Sequence, residues 1–239
     1  MKLRHLSKLM SLFWPVLLVM TACFPDANDQ SLPPDQQEPL PVANTRTNDA
    51  DSEAGETEDY FNTNRVIWQK PDMILNQLGN LEGKTVADIG AGTGFFAMRM
   101  AHKAERVIAI DIDRRFIDYL DSVKVLELPE EIQTRLETRL GDPNDPKLKA
   151  NEVDAVIIVN TFMYIQNKIE YLRRLKSAIK PGGRLLIVDF KKKRTPIGPP
   201  QSLRIPIHEI EELFYEAGYK NIIANDTALD YQYILVGDR

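Results

Sequence analysis

Residues 60–239 predict a doubly wound α/β domain, and three observations predict it. Short apolar runs alternate with stretches of helical periodicity. The runs are rich in Val, Ile and Leu with no polar alternation, as in strands buried on both faces of a parallel sheet. A glycine-rich turn stands between the first run and the helix that follows it. The expected result is a mostly parallel seven-stranded sheet that ends in an antiparallel hairpin.

The runs fall in order at Thr85–Ile89, 106–110, 134–140, Val153–Val159 and 184–190. Between them, Ile169, Leu172, Leu175 and Ile179 repeat at helical spacing, and so do Ile207, Ile210, Leu213, Phe214 and Ala217. Each stripe then meets glycine, at Gly182-Gly183 and at Gly218, where a helix can end in a left-handed residue. Two further runs, 221–224 and 232–236, follow the last helix and are joined by a short polar stretch, which reads as the hairpin. No internal repeat interrupts this order.

The 59 residues before this domain differ from it in composition. Lys2, Arg4 and Lys8 precede an apolar stretch from Leu9 to Met20, too short for a comfortable membrane span and built like a secretory signal. Residues 24–59 hold ten acids and the single base Arg46, with many Pro, Asn, Gln and Ser. Such a segment buries too little apolar surface to offset its chain entropy and is expected to act as a tether of roughly 30 to 36 Å. Residues 60–239 are left nearly neutral, which gives no electrostatic case for binding nucleic acid. Cys23 is the only cysteine, so no intrachain disulfide forms. The expected domains are a signal over 1–22, a tether over 23–59 and a folded unit over 60–239.

The stretch Asp88-Ile89-Gly90-Ala91-Gly92-Thr93-Gly94-Phe95 is the most specific in the chain. Glycines allow a sharp turn and close approach to a ligand, and a helix start offers unpaired N–H groups. A dinucleotide fingerprint needs its third glycine one position later, where Phe95 stands, so the spacing argues against NAD. Asp111 ends the second strand 21 residues after Gly90, where a carboxylate can accept both hydroxyls of a ribose.

These residues resemble motif I of the class I S-adenosylmethionine-dependent methyltransferases. The similarity extends through Asp111, Gly141-Asp142, the strand ending at Asn160 and Lys180-Pro181-Gly182-Gly183, and covers about residues 65–239. By resemblance, Gly90, Ala91, Gly92 and Gly94 cradle the methionine end of the cofactor, and Asp88 helps to hold its ammonium. Asp111 takes the ribose, Ile112 packs on adenine, and Asp142 accepts from the adenine amino group. Pro143 has no N–H for the ring, which shifts that contact toward Asn144 or Asp145. Asn160 stands beside the methyl group, and Tyr164 lines the acceptor side. The sequence Val19-Met20-Thr21-Ala22-Cys23 similarly resembles a lipobox. It implies lipidation of Cys23, an envelope membrane and, with Phe24 next, the outer one. An uncleaved anchor, or a cytoplasmic protein starting at Met10 or Met20, competes with it.

Methyl transfer from a sulfonium demands position and a dry site rather than a fixed triad or a metal, and none is expected. His5 lies in the signal, His102 near a helix end, and His208 reads as a surface residue. Asn160 is followed by Thr161-Phe162-Met163 rather than the proline-rich run of enzymes that methylate amino groups of nucleic acids. The basic run from Lys191 to Arg194 suits an anionic acceptor or phospholipid surface. The Pro-rich 195–200 segment resembles the acceptor loop of small-molecule methyltransferases. A small or lipid-like acceptor is therefore expected, with a non-catalytic nucleoside-binding lipoprotein as the alternative.

Overall fold

The computed structural model describes residues 65–239. Two short helices, α1 (Arg65–Gln69) and α2 (Pro71–Asn76), precede the first strand, β1 (Thr85–Ile89). Then follow α3 (Phe95–Ala101), β2 (Arg106–Asp111), α4 (Arg114–Glu127), α5 (Glu130–Gln133), β3 (Leu136–Leu140) and β4 (Val153–Val159). A 3₁₀ turn (Phe162–Tyr164) leads to α6 (Lys168–Ala178), β5 (Ile179–Phe190), α7 (Ile207–Ala217), β6 (Lys220–Asn225) and β7 (Gln232–Asp238). The signal, the tether and Cys23 lie outside the described residues.

The seven strands form one sheet in the order β3-β2-β1-β4-β5-β7-β6. Strands β1 to β5 are parallel, and β7 runs antiparallel to both β5 and β6. The predicted hairpin is thus present, with its second strand inserted beside β5 and its first strand on the edge. Strands β2, β6 and β7 run one or two residues beyond the apolar runs, and two boundaries differ more in kind. Ile179 opens β5 rather than closing α6, because its side chain is fully buried opposite Val153. Thr134 caps α5, and β3 starts only at Leu136.

Successive strand residues feed opposite faces, as the period of two requires. Val86, Ile157 and Leu186 pack with α2, α3 and α4 on one face. Ala87, Ile158 and Ile187 pack with α6 and α7 on the other. Burial on both faces explains why these strands read as continuous apolar runs. The strand order reverses between β1 and β4, and the carboxyl ends of those two strands open a crevice.

Candidate cofactor site

The crevice at the reversal is a cleft of about 700 Å³, measured to its open mouth. Its wall runs along the sheet edge from Gly141, Asp142 and Pro143 after β3, past Asp111 and Ile112 after β2, to Gly90 after β1 and Asn160 and Thr161 after β4. Tyr164, Ile165 and Tyr171 close it from the 3₁₀ turn and α6. Three strand spacings separate the two ends, about 14 Å.

The glycine loop hangs from β2. Gly90 and Ala91 both donate their N–H to the Ile110 carbonyl, at 2.8 and 3.0 Å. Gly90 has φ +71°, and a Cβ there would stand 2.3 Å from Thr161 Oγ1, so the turn needs glycine on both counts. Gly94, φ +84°, precedes α3, and a Cβ on it would strike Leu120 of α4. Gly90 alone of the loop lines the cleft; Ala91, Gly92 and Gly94 build the turn behind it.

Asp111 is buried, with 8% of its surface exposed. Its Oδ2 accepts from Gly92 N–H at 2.9 Å and its Oδ1 from Asp113 N–H at 3.0 Å. Burial raises its pKa above the usual carboxylate value, and those N–H groups oppose the rise. Each oxygen keeps a lone pair for a further donor.

Ile112, next to Asp111 and half exposed, lines the cleft, as does Pro143. Asp142 Oδ1 accepts from Asn144 N–H at 3.0 Å, and Asp142 and Asp145 bond each other through their backbones. The Asn144 N–H that was to replace the one missing at Pro143 is therefore already engaged by Asp142.

Asp88 does not reach the wall. It is 3% exposed, and burial pushes its carboxyl up to about 7, opposed by the nearby Arg65 guanidinium. Arg65 itself is buried, stacked 4.2 Å from the Phe95 ring centroid at the start of α3. Asn160 adopts φ +58°, a region that asparagine tolerates, with its N–H bonded to Val188 O at 2.9 Å. Its Oδ1 accepts from Gln232 Nε2. Gln69 and Gln232, both fully buried, went unread in the sequence, since an isolated glutamine carries no spacing signal.

His208 is exposed, as expected, and His102, read as lying near a helix end, is the C-cap of α3. Lys191 is not a free cation, because its Nζ donates to Leu229 O at 2.7 Å, whereas Lys192, Lys193 and Arg194 are exposed. No cluster of metal-ligating residues occurs among the described residues, and none of their helices is long and apolar enough to cross a membrane.

A family profile described as a methyltransferase domain matches residues 87–187, from β1 into β5. A solved S-adenosylmethionine-dependent methyltransferase from Aquifex aeolicus aligns with a TM-score of 0.67 at 25% identity, over 74% of this chain and 93% of that one. The described fold is that of the class I methyltransferases. The tRNA U34 carboxymethyltransferase of Pseudoalteromonas translucida (strain TAC 125) is 32% identical over 124 residues, 52% of this chain and 37% of that protein. The chain thus spans little more than a third of that curated relative. Haemonchus contortus phosphoethanolamine N-methyltransferase 2, solved with phosphomonomethylethanolamine and S-adenosylhomocysteine, shares the fold at a TM-score of 0.60 and 15% identity. It is covered over 52% of its length, against 72% of this chain.

S-adenosylmethionine is the cofactor of the methyltransferase domain, and the residues present fit it. A buried carboxylate with spare lone pairs faces the middle of the cleft, where a ribose would present two hydroxyls. Ile112 and Pro143 offer an apolar slot beyond it. The Gly90 turn, which Thr161 leaves no room to fill, lets the backbone approach the other end.

Proposed function

We propose that the protein transfers methyl groups from S-adenosylmethionine to a small or membrane-associated acceptor, from a lipid anchor at Cys23 in the cell envelope. The observation that carries the methyl-transfer reading is the Gly90 turn beside the buried Asp111 carboxylate on the wall of one cleft. When bound, the cofactor supplies an electrophilic methyl on a sulfonium whose departure leaves a neutral thioether. The chain's residues then need only hold and shield. Asp111 binds, Ile112 and Pro143 orient the base, and Ile89, Ile165 and Tyr171 line the cleft with apolar surface that excludes water. Burial keeps the Tyr171 hydroxyl protonated well above its ordinary pKa, so it serves as wall and donor rather than as a base.

The lipid-like acceptor and the anchor rest on different support. Lys192, Lys193 and Arg194 stand exposed just after β5, on the same carboxyl edge of the sheet as the cleft. They suit an anionic headgroup or an anionic small molecule. The Val19-Met20-Thr21-Ala22-Cys23 sequence supports lipidation, with export to the periplasmic face of the outer membrane. The near-neutral domain favours such acceptors over nucleic acid.

Labelled S-adenosylmethionine supplied to the full chain with an envelope extract tests the enzyme reading. Label transferred to an extractable small molecule or lipid, with release of S-adenosylhomocysteine, is the expected result. Cofactor binding with no transfer to any component would move the protein to a non-catalytic binder. For the anchor, Cys23→Ala should leave an unprocessed precursor; a native cytosolic protein beginning at Met10 or Met20 would refute it.

A further inference from the structure

A chain of hydrogen bonds, buried until its last link at the cleft, runs from α1 to Asn160. Arg65 Nε donates to Gln69 Oε1 at 2.6 Å, Gln69 Nε2 donates to Gln232 Oε1 at 3.0 Å, and Gln232 Nε2 donates to Asn160 Oδ1. The polarity of this relay has a single origin. A guanidinium only donates, so the oxygen of Gln69 must face it and the amide nitrogen must face away. The same logic passes to Gln232 and then to Asn160, because an amide offers an oxygen on one side and an NH₂ on the other. Gln69 and Gln232 are fully buried, so neither can turn over to water without leaving a polar group unpaired.

The relay ends at Asn160 Nδ2, for which the described residues supply no acceptor, on a residue that lines the cleft. Asn160 follows β4, two strands from Asp111, on the side of the ribose position away from Asp142. A cofactor laid along this edge brings its methionine end here. That end carries an ammonium, which seeks acceptors, and a carboxylate, which seeks donors.

We propose that the relay fixes Asn160 as a hydrogen-bond donor to the carboxylate of the cofactor's methionine moiety, with Gln69 and Gln232 as positioning residues. The inference rests on the S-adenosylmethionine reading and adds to it the polarity of one end of the site. It also assigns a purpose to the buried α1–β7 contact, which joins residues 163 positions apart.

Calorimetry on the full chain tests it with two probes, S-adenosylhomocysteine and 5′-methylthioadenosine, the second lacking the amino-acid end. Asn160→Asp replaces the donor by a negative oxygen while Oδ1 still accepts from Gln232. It should weaken S-adenosylhomocysteine about ten- to a hundredfold and methylthioadenosine by less than about threefold, in line with loss of a charge-assisted bond. Gln232→Glu accepts from both neighbours, forces the Asn160 NH₂ away from the cleft, and should show the same selective loss. Gln232→Met, which leaves the amide free to turn, should lose less than Gln232→Glu. Unchanged or tighter binding of S-adenosylhomocysteine to Asn160→Asp would overturn the proposal, since it would mean that Asn160 presents an acceptor. Equal losses for both probes, with a lowered unfolding temperature, would reduce the relay to a packing feature and overturn it as well. If the unaltered chain bound neither probe, the cofactor reading itself would fall, and this inference with it.

Discussion

Gly92 donates its backbone N–H to the Asp111 carboxylate across 2.9 Å, which makes the glycine loop and the end of β2 a single unit. Asp111 therefore shapes the cleft as well as lining it. Asp111→Ala should weaken S-adenosylmethionine about a hundredfold or more, through two lost charge-assisted bonds and a slackened loop. Asp111→Asn keeps one oxygen for Gly92 but turns an NH₂ toward the Asp113 N–H, and should lose about tenfold. Calorimetry measures both, and hydrogen exchange at residues 90–94 should quicken in the alanine variant only. Full affinity in a folded Asp111→Ala protein would refute the ribose assignment.

The contact between Gly90 and Thr161 gives a second expectation. Gly90→Ala costs about 1 to 2 kcal/mol in backbone strain at positive φ, and its methyl would also meet Thr161. Displacing Thr161 alters the cleft wall, so cofactor binding should fall with stability. Thr161→Gly in the same chain should recover part of the binding but not the strain. A Gly90→Ala protein that binds as tightly as the parent would show that the turn does not need its glycine.

The sheet and the β1–β2 side of the cleft were legible in the sequence because each has a local signal. Five apolar runs gave five parallel strands, and Gly90, Asp111 and Ile112, each singled out by its place after a strand, line one cleft. The other end was not legible. Gln69, Gln232, Asp189 and Arg204 are buried polar residues whose partners come from distant segments, so none has a spacing to read. Asp88 is the opposite case. Its motif position is plain, yet the fold buries its carboxyl behind the wall, beside Arg65.

Arg204 illustrates how a segment without regular structure is held. Its buried guanidinium donates to the carbonyls of Pro199, Lys193 and Ile197 and to Thr195 Oγ1, at 2.7, 2.8, 3.3 and 2.7 Å. It lies 5.2 Å from the Phe190 ring centroid. Arg204→Met leaves several acceptors unpaired and should cost about 2 to 4 kcal/mol, with faster hydrogen exchange across residues 191–203. Arg204→Lys should recover little, because an ammonium cannot reproduce the planar fork. Unaltered exchange in the methionine variant would show that the loop holds itself.

At the rim of the sheet, Arg139 and Arg106 converge on Glu152, whose carboxyl also accepts from Lys149 N–H at 2.8 Å. The hydrogen bond from Arg139 holds the Glu152 pKa down at about 2. Its contribution is present above the ordinary glutamate range and is lost as pH falls toward 2. Glu152→Gln should therefore destabilise by about 1 to 3 kcal/mol at pH 7 and by much less near pH 3. Urea unfolding at the two pH values checks this, and a difference independent of pH would remove the ionic share.

Asp189 works in the opposite direction. It sits near the end of β5, 1% exposed, with Oδ2 accepting from Met163 N–H at 3.1 Å and Oδ1 buried with no partner among the described residues. Burial pushes its pKa up to about 8, against a weaker pull downward from the Met163 N–H and from Lys168. The unfolded chain releases this proton near the ordinary value of 3.8, whereas the folded chain keeps it to about 8. Over that window the folded state binds more protons, so rising pH erodes stability by on the order of 1.4 kcal/mol per pH unit at most, and the loss levels off above it. Asp189→Asn has nearly the same shape, still accepts from Met163, and has no proton to lose. Its stability relative to the parent should be near zero or slightly negative at pH 4, where both side chains are neutral. It should then grow to a gain of roughly 2 to 4 kcal/mol at pH 8. Urea unfolding of the two proteins at both pH values isolates the share of Asp189 and of the groups that feel its charge, Lys168 and Tyr233, because the other titrating groups cancel in the difference. A difference that does not change between pH 4 and pH 8 would mean that the folded chain holds Asp189 in one protonation state across that window, and would refute the raised pKa.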